Sequence, residues 1–249
     1  MKMTDVTIGS LQVPEHIVFE QVNWSVAVGD FWAIGGLQGC GKSDFMATAA
    51  GLMPPLQGNY EVFGHAIDRV FEPDLLPTRL KLGLVFDGGQ LLRHLTVAEN
   101  VALPLRYHKG LSEDEADLHV GRLLDLTGLT RWADERASML SRNWQQRAGL
   151  ARALALKPEA LLLDTPLTGL DPRDEKWWLE FLSQLSEGHE AVGGHPMTLV
   201  VSCDDLRPWV KRADHFAVLR GQRFIPLPPG VAAAEADDVL LDLLGRSIF

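Results

Sequence analysis

Gly36-Leu37-Gln38-Gly39-Cys40-Gly41-Lys42-Ser43 reads G-x-x-x-x-G-K-S, the pattern of a phosphate-binding loop. Phe31-Trp32-Ala33-Ile34 before it is a short apolar run of strand character, and Asp44-Phe45-Met46-Ala47-Thr48-Ala49-Ala50 after it reads as a helix. The motif needs that strand–loop–helix setting. Glycines at 36, 39 and 41 let the backbone bend and bring bare N–H groups against an anion. Those donors stand at a helix N-terminus, whose dipole favours negative charge. In such a loop Lys42 is expected to reach the β- and γ-phosphates of a nucleotide, Ser43 to ligate Mg²⁺, and Cys40 and Asp44 to flank the cradle.

Bulk properties narrow the partners. The chain has 249 residues, 46% of them hydrophobic, enough for a stable core without staples. It carries 33 acidic residues against 23 Lys plus Arg, a net charge of −10, which argues against a nucleic acid as main partner. Two cysteines, Cys40 and Cys203, give no disulfide framework and fit a reducing compartment. Eight histidines and these two distant thiols show no zinc spacing. The opening Met1-Lys2-Met3-Thr4-Asp5 leads into a strand pattern rather than a signal sequence, and no run reaches 18 apolar residues, so no direct membrane insertion is expected.

Outward from the loop, residues 4 to 30 alternate as strands and turns up to Gly29-Asp30. Strands are expected at Tyr60–Phe63, Lys81–Phe86, Leu161–Leu163, Thr198–Val201 and Phe216–Leu219, with a hairpin through Gly221 into Phe224-Ile225. Residues 88 to 150 are mostly helical in pattern, with Leu123, Leu124, Leu126 and Leu129 at helical spacing. Ser112 before Glu113, Asp114 and Glu115 reads as a helix N-cap. Trp177, Trp178, Phe181, Leu182 and Leu185 give residues 173 to 186 an apolar face, and a last helix is expected over about 232 to 244, packed on the chain's own core.

Leu161-Leu162-Leu163-Asp164 has the form of a Walker B strand, with buried aliphatics holding one carboxylate where it can orient Mg²⁺. It follows Leu140-Ser141, Gln145-Gln146-Arg147 and Ala151-Arg152-Ala153-Leu154, and precedes Pro166, Gly169, Leu170, Asp171 and Pro172. That ordered series resembles the ATP-binding-cassette (ABC) ATPases over roughly residues 4 to 225. The segment Leu95 to Leu105 is most similar to the cassettes of Mce-type lipid transporters. The resemblance implies an α/β fold: a P-loop NTPase core with a mixed sheet, an antiparallel β-subdomain and an inserted α-helical subdomain at about 88–150. The whole chain, 1–249, is then a single nucleotide-binding domain. The resemblance also implies a second ABC subunit, identical or not, paired head to tail with Asp171 bridging to it, and a permease helix docked near residues 86–106. The chain would then sit in the cytoplasm, peripheral on the inner face of the plasma membrane.

Residue by residue the fit breaks where turnover is made. The family's L-S-G-G-Q signature is Leu140-Ser141-Arg142-Asn143-Trp144, with side chains where glycines would admit a γ-phosphate from across a dimer. The glutamate after the Walker B aspartate is Thr165, the Q-loop glutamine is Asp87 and the switch histidine is Cys203. A hydroxyl cannot serve as a carboxylate base at neutral pH, and a thiol is a weak donor. Losing a general base typically lowers a rate about 10²–10⁴-fold, and losing an oxyanion donor about 10²–10³-fold. Asp44 stands where the family has threonine; facing a triphosphate at about 5 Å it would cost about 3 kcal/mol at an effective dielectric near 20. No aromatic precedes Phe19 to stack on adenine, and by spacing that position falls near Val13.

These readings predict ATP and Mg²⁺ binding with hydrolysis weak or absent. Because both halves of each composite site are altered, pairing with an intact partner restores neither. Two alternatives stay open. One is a regulatory, non-transport ABC-like protein. The other is an active enzyme in which Asp87 replaces the missing carboxylate and Arg142 acts in trans as an arginine finger. Cys40 and Cys203 are expected near the γ-phosphate, as separate thiols or as a redox pair.

Overall fold

The computed structural model describes residues 1–13, 15–68 and 73–228. Strands β1 (Lys2–Gly9) and β2 (Ile17–Ser25) pair antiparallel, Met3 opposite Trp24 and Val6 opposite Val22. Their alternation sends Met3, Val6, Ile8, Phe19, Val22 and Trp24 inward. Strand β3 (Phe31–Gly36) is buried along its whole length and feeds α1 (Lys42–Ala49) through the glycine loop. β4 (Gln57–Val62) and β5 (His65–Ala66) complete a four-stranded antiparallel sheet in the order β2-β1-β4-β5.

A short helix, α2 (Leu76–Arg79), precedes β6 (Leu82–Val85). Then come α3 (Val97–Lys109) and α4 (Glu113–Leu126), each opened by a capping box: Thr96 with Glu99 and Ser112 with Glu115. Helix α5 (Arg142–Leu154) closes this helical layer and leads to β7 (Ala160–Leu163). Helix α6 (Pro172–Glu187), β8 (Thr198–Cys203), β9 (His215–Arg220) and β10 (Arg223–Pro226) follow. The larger sheet runs β10-β9-β3-β8-β7-β6; β6, β7, β8, β3 and β9 are parallel neighbours and β10 is antiparallel to β9. This is the mixed sheet of the expected α/β fold, with the phosphate-loop strand inside it.

The large sheet is covered on both faces, which its residues show by turns. Leu161, Leu163, Leu199 and Val201 join the core under α3–α6, while Leu162 and Val200 join the core of the antiparallel sheet and α1. Phe45 of α1 stacks on Phe224 of β10 with ring centroids 5.3 Å apart, and Trp24 lies against both. That aromatic knot fixes the first helix against two sheets.

One expectation changes here. Leu129 lies beyond the end of α4, in a turn, yet is fully buried; its spacing reflected a core contact rather than a continuing helix. The helix expected over 232–244 lies outside the described residues. Among the described residues no helix is long and apolar enough to cross a membrane.

Candidate nucleotide site

β3 ends between β8 and β9, and the chain turns there through Gly39 (φ 78°) and Gly41 (φ 96°). A Cβ at Gly41 would stand 2.2 Å from Val18 Cγ1, so the start of α1 is pressed against β2 and only glycine fits. Lys42, 6% exposed, folds back over the loop. Its Nζ donates to the carbonyl oxygens of Gly36 and Leu37, both at 2.9 Å, and pairs with Asp204 Oδ1 at 2.8 Å.

Beside it, Ser43 Oγ donates to Asp164 Oδ2 at 2.5 Å and Ser202 Oγ donates to Asp164 Oδ1 at 2.7 Å. Asp164 is buried, at the end of β7. The Thr165 N–H donates to Ser202 Oγ at 3.0 Å, which ties the turn after β7 to β8. Thr165 has φ 44°, a left-handed conformation in which a β-branched residue is an outlier. Lys42, Ser43, Thr165 and Asp204, together with Ser10, Leu11, Gln12, Asp44, Asp87, Arg142 and Thr168, line a cleft of about 490 Å³.

The sequence-based candidates divide. Gly39, Gly41, Lys42, Ser43, Asp44, Asp87, Arg142 and Thr165 all line the cleft, and Asp164 holds Ser43 from below. Gly36 supplies a carbonyl to Lys42 and packs against Cys40, whose Sγ would be 2.6 Å from a Cβ there. Asp44 keeps its place on the cleft wall, and its Oδ1 accepts from the Leu11 N–H at 2.6 Å, so it also holds the loop after β1. Val13 is 59% exposed and off the cleft wall; Leu11 and Gln12 stand there instead.

In the signature segment Arg142 forms an ion pair with Asp87 of its own chain, both side chains being exposed. Asn143 turns inward, its Oδ1 accepting from Trp178 Nε1 at 3.3 Å, and does not fill space over the surface. Trp144 packs on Trp132, with ring centroids 6.0 Å apart, and beneath the Arg147 guanidinium, which also lies 3.6 Å from the centre of the Trp177 ring. Ser141 occupies the N-cap position of α5 without a side-chain cap bond. Asp171 caps α6, its Oδ1 accepting from the N–H groups of Arg173 and Asp174 at 2.9 Å.

Cys203 is buried, its Sγ donating to Ile34 O at 3.7 Å, and it neighbours Thr165, Thr168 and Asp204. Both thiols are free, and burial pushes each above the ordinary thiol range. Sequence reasoning missed Asp204, Thr168 and Ser202. Asp204 and Ser202 stand on either side of Cys203 at the end of an apolar strand, the same signal that singled out Asp164.

Oxygen chemistry at the cleft suits a metal–nucleotide pair. Ser43 and Asp164 are hard donors 2.5 Å apart, and Mg²⁺ is typically held by one or two such protein ligands with phosphates and water. Space is open beyond Gly39, where a Cβ would meet nothing within 4 Å.

Comparison with known proteins agrees with this geometry. The family model described as ABC transporter matches residues 19–168. A spermidine/putrescine import ATP-binding protein, PotA of Fusobacterium nucleatum, is 32% identical over 93% of this chain, and the chain spans 59% of that relative's length. An intermembrane phospholipid transport system ATP-binding protein, MlaF of Haemophilus influenzae, is 30% identical over 85% of this chain and 78% of its own. Among solved structures, the dimeric post-hydrolysis state of the ATP-binding cassette MJ0796 bound to ADP and Pi superposes with a TM-score of 0.78 at 28% identity, over 91% of this chain and 98% of that one. A phosphate loop on the central strand, a serine and an aspartate joined beneath it, and these likenesses place the chain in the ABC transporter ATP-binding family.

Proposed function

We propose that this chain is the nucleotide-binding subunit of a membrane ABC transporter, one that holds Mg-ATP and hydrolyses it weakly or not at all. The observation that carries the reading is the contrast at Asp164. Its carboxylate is held by Ser43 and Ser202, while the next residue, Thr165, offers no base to the same cleft. Ser43 and Asp164 would hold Mg²⁺, which neutralises phosphate charge when bound. The loop N–H groups and Lys42 would hold the phosphates. Neither Thr165 nor the buried Cys203 can take the proton of an attacking water or donate to a terminal phosphate.

Docking to a permease is supported by a second groove, of about 510 Å³, between β6, α3 and α5. Leu52, Leu80, Phe86, Leu103 and Tyr107 line it, and Tyr107 is 84% exposed. A partner helix inserted there would lie against the loop that carries Asp87. A peripheral place on the membrane follows from such docking, as does pairing with a second cassette. The relocated-catalysis alternative is weakened by the Asp87–Arg142 pair, which uses both groups on each other.

Calorimetric titration with ATP, with and without Mg²⁺, on the wild type and Lys42→Ala tests binding. Heat is expected for the wild type with Mg²⁺ and none for the variant. Steady-state phosphate release, with the partner subunits present, is expected below about 1 s⁻¹, the lower end of ordinary enzyme turnover. A faster rate would sink the weak-hydrolysis reading, and failure to co-purify with a multi-spanning membrane protein would sink the transporter assignment.

A further inference from the structure

We infer that Asp204 occupies the place of a terminal phosphate, so that the free chain takes a nucleoside diphosphate ahead of a triphosphate. The inference rests on the nucleotide-binding role proposed for this cleft and adds its ligand class. An ammonium group has three hydrogens to donate. Those of Lys42 meet three oxygens: Gly36 O and Leu37 O at 2.9 Å and Asp204 Oδ1 at 2.8 Å. The second carboxylate oxygen of Asp204 accepts from Thr168 Oγ1 at 3.0 Å. Lysine, carboxylate and hydroxyl thus form a connected set on the wall of the cleft, and all three residues line it.

A triphosphate must break this set. Its third phosphate seeks the Lys42 ammonium, which is 6% exposed and already faces an anion of its own chain. Either the carboxylate swings away or two negative groups share one cation. A diphosphate meets less of this conflict: its β-phosphate can share the Lys42 ammonium without a third phosphate in the place of the Asp204 carboxylate, and the loop backbone and the Ser43–Asp164 pair, which involve neither Asp204 nor Thr168, remain available. Asp204 is 40% exposed, so solvent tempers the charge effect without removing it.

Fluorescent or calorimetric titration of the full chain with Mg-ADP and Mg-ATP tests this. The wild type is expected to bind ADP about tenfold more tightly than ATP, the scale of one partly screened charge contact. Asp204→Asn, near-isosteric, should move the ratio toward ATP by about the same factor. Thr168→Val, which frees the carboxylate to rotate, should move it the same way by less. Thermal melts without nucleotide check that each variant folds. Equal or tighter binding of ATP by the wild type, or a ratio unchanged in both variants, overturns the inference while leaving nucleotide binding intact. Binding of neither nucleotide overturns the binding role along with it.

Discussion

On the floor of the cleft, Asp164 is 3% exposed and takes hydroxyl hydrogen bonds from Ser43 and Ser202. On its rim, Asp87, Arg142 and Asp204 are 42%, 49% and 40% exposed and pair with one another or with Lys42. The floor joins three separate segments, so its chemistry is also part of the fold. The rim hangs from one or two side-chain contacts at partly exposed groups. A change on the floor therefore costs stability, whereas a change on the rim alters chemistry at small cost to the fold.

Asp164→Ala attacks the floor and should have the largest effect. It leaves the buried Ser202 hydroxyl without its acceptor, at about 1–3 kcal/mol, while the exposed Ser43 hydroxyl can turn to water. A denaturant midpoint within error of wild type would erase the distinction drawn between floor and rim. Thr165→Glu is next. It restores one carboxylate beside a cleft that still lacks its other partners, and groups that act as a unit are far from additive. Phosphate release is expected to stay within about tenfold of wild type, the margin of one isolated group rather than a restored set. A larger gain would mean that a single residue had silenced an otherwise complete site.

Arg142→Ala removes an ion pair whose members are both more than two-fifths exposed. The expected loss is below about 1 kcal/mol. A loss of several kcal/mol would move Arg142 from rim to floor.

The smallest effect concerns the capping boxes. A backbone hydrogen bond from Thr96 holds the Glu99 carboxyl below its ordinary range, and a side-chain hydrogen bond from Ser112 does the same for Glu115. Both pKa values are lower in the folded state than in the unfolded chain. Their contribution is therefore present above the ordinary carboxylate value and lost as pH falls through the folded one. Stability should flatten above about pH 5 and slope down below about pH 4, with a shallower slope in Glu99→Gln/Glu115→Gln. Identical slopes would remove these carboxylates from the acid response.

Much of the floor was legible in the sequence because local rules govern it. A glycine loop after an apolar strand and an aspartate closing an aliphatic run each declare their setting within ten residues. The rim was not legible for the opposite reason. Arg142 and Asp87 stand 55 positions apart, and Lys42 meets Asp204 only because β3 and β8 are neighbours in the sheet. Spacing says nothing of such pairs. The resemblance to the family signature put the Asn143 side chain where a glycine would leave room, and its inward turn depends on Trp178 of a later helix. Leu129 misled in the same way: burial, not helical continuation, produced its spacing.

The loop that carries Asp87 meets α5 with no side chain between them. A Cβ on Gly149 would lie 2.7 Å from Gly89 Cα, one on Gly89 would lie 2.1 Å from Gln145 O, and Arg152 donates to Gly89 O at 2.8 Å. Two main chains pressed this closely have no room to slide. A push delivered in the groove beside Tyr107 would turn loop and helix as one piece, so Trp144, on that helix, would register the motion as a change in its fluorescence.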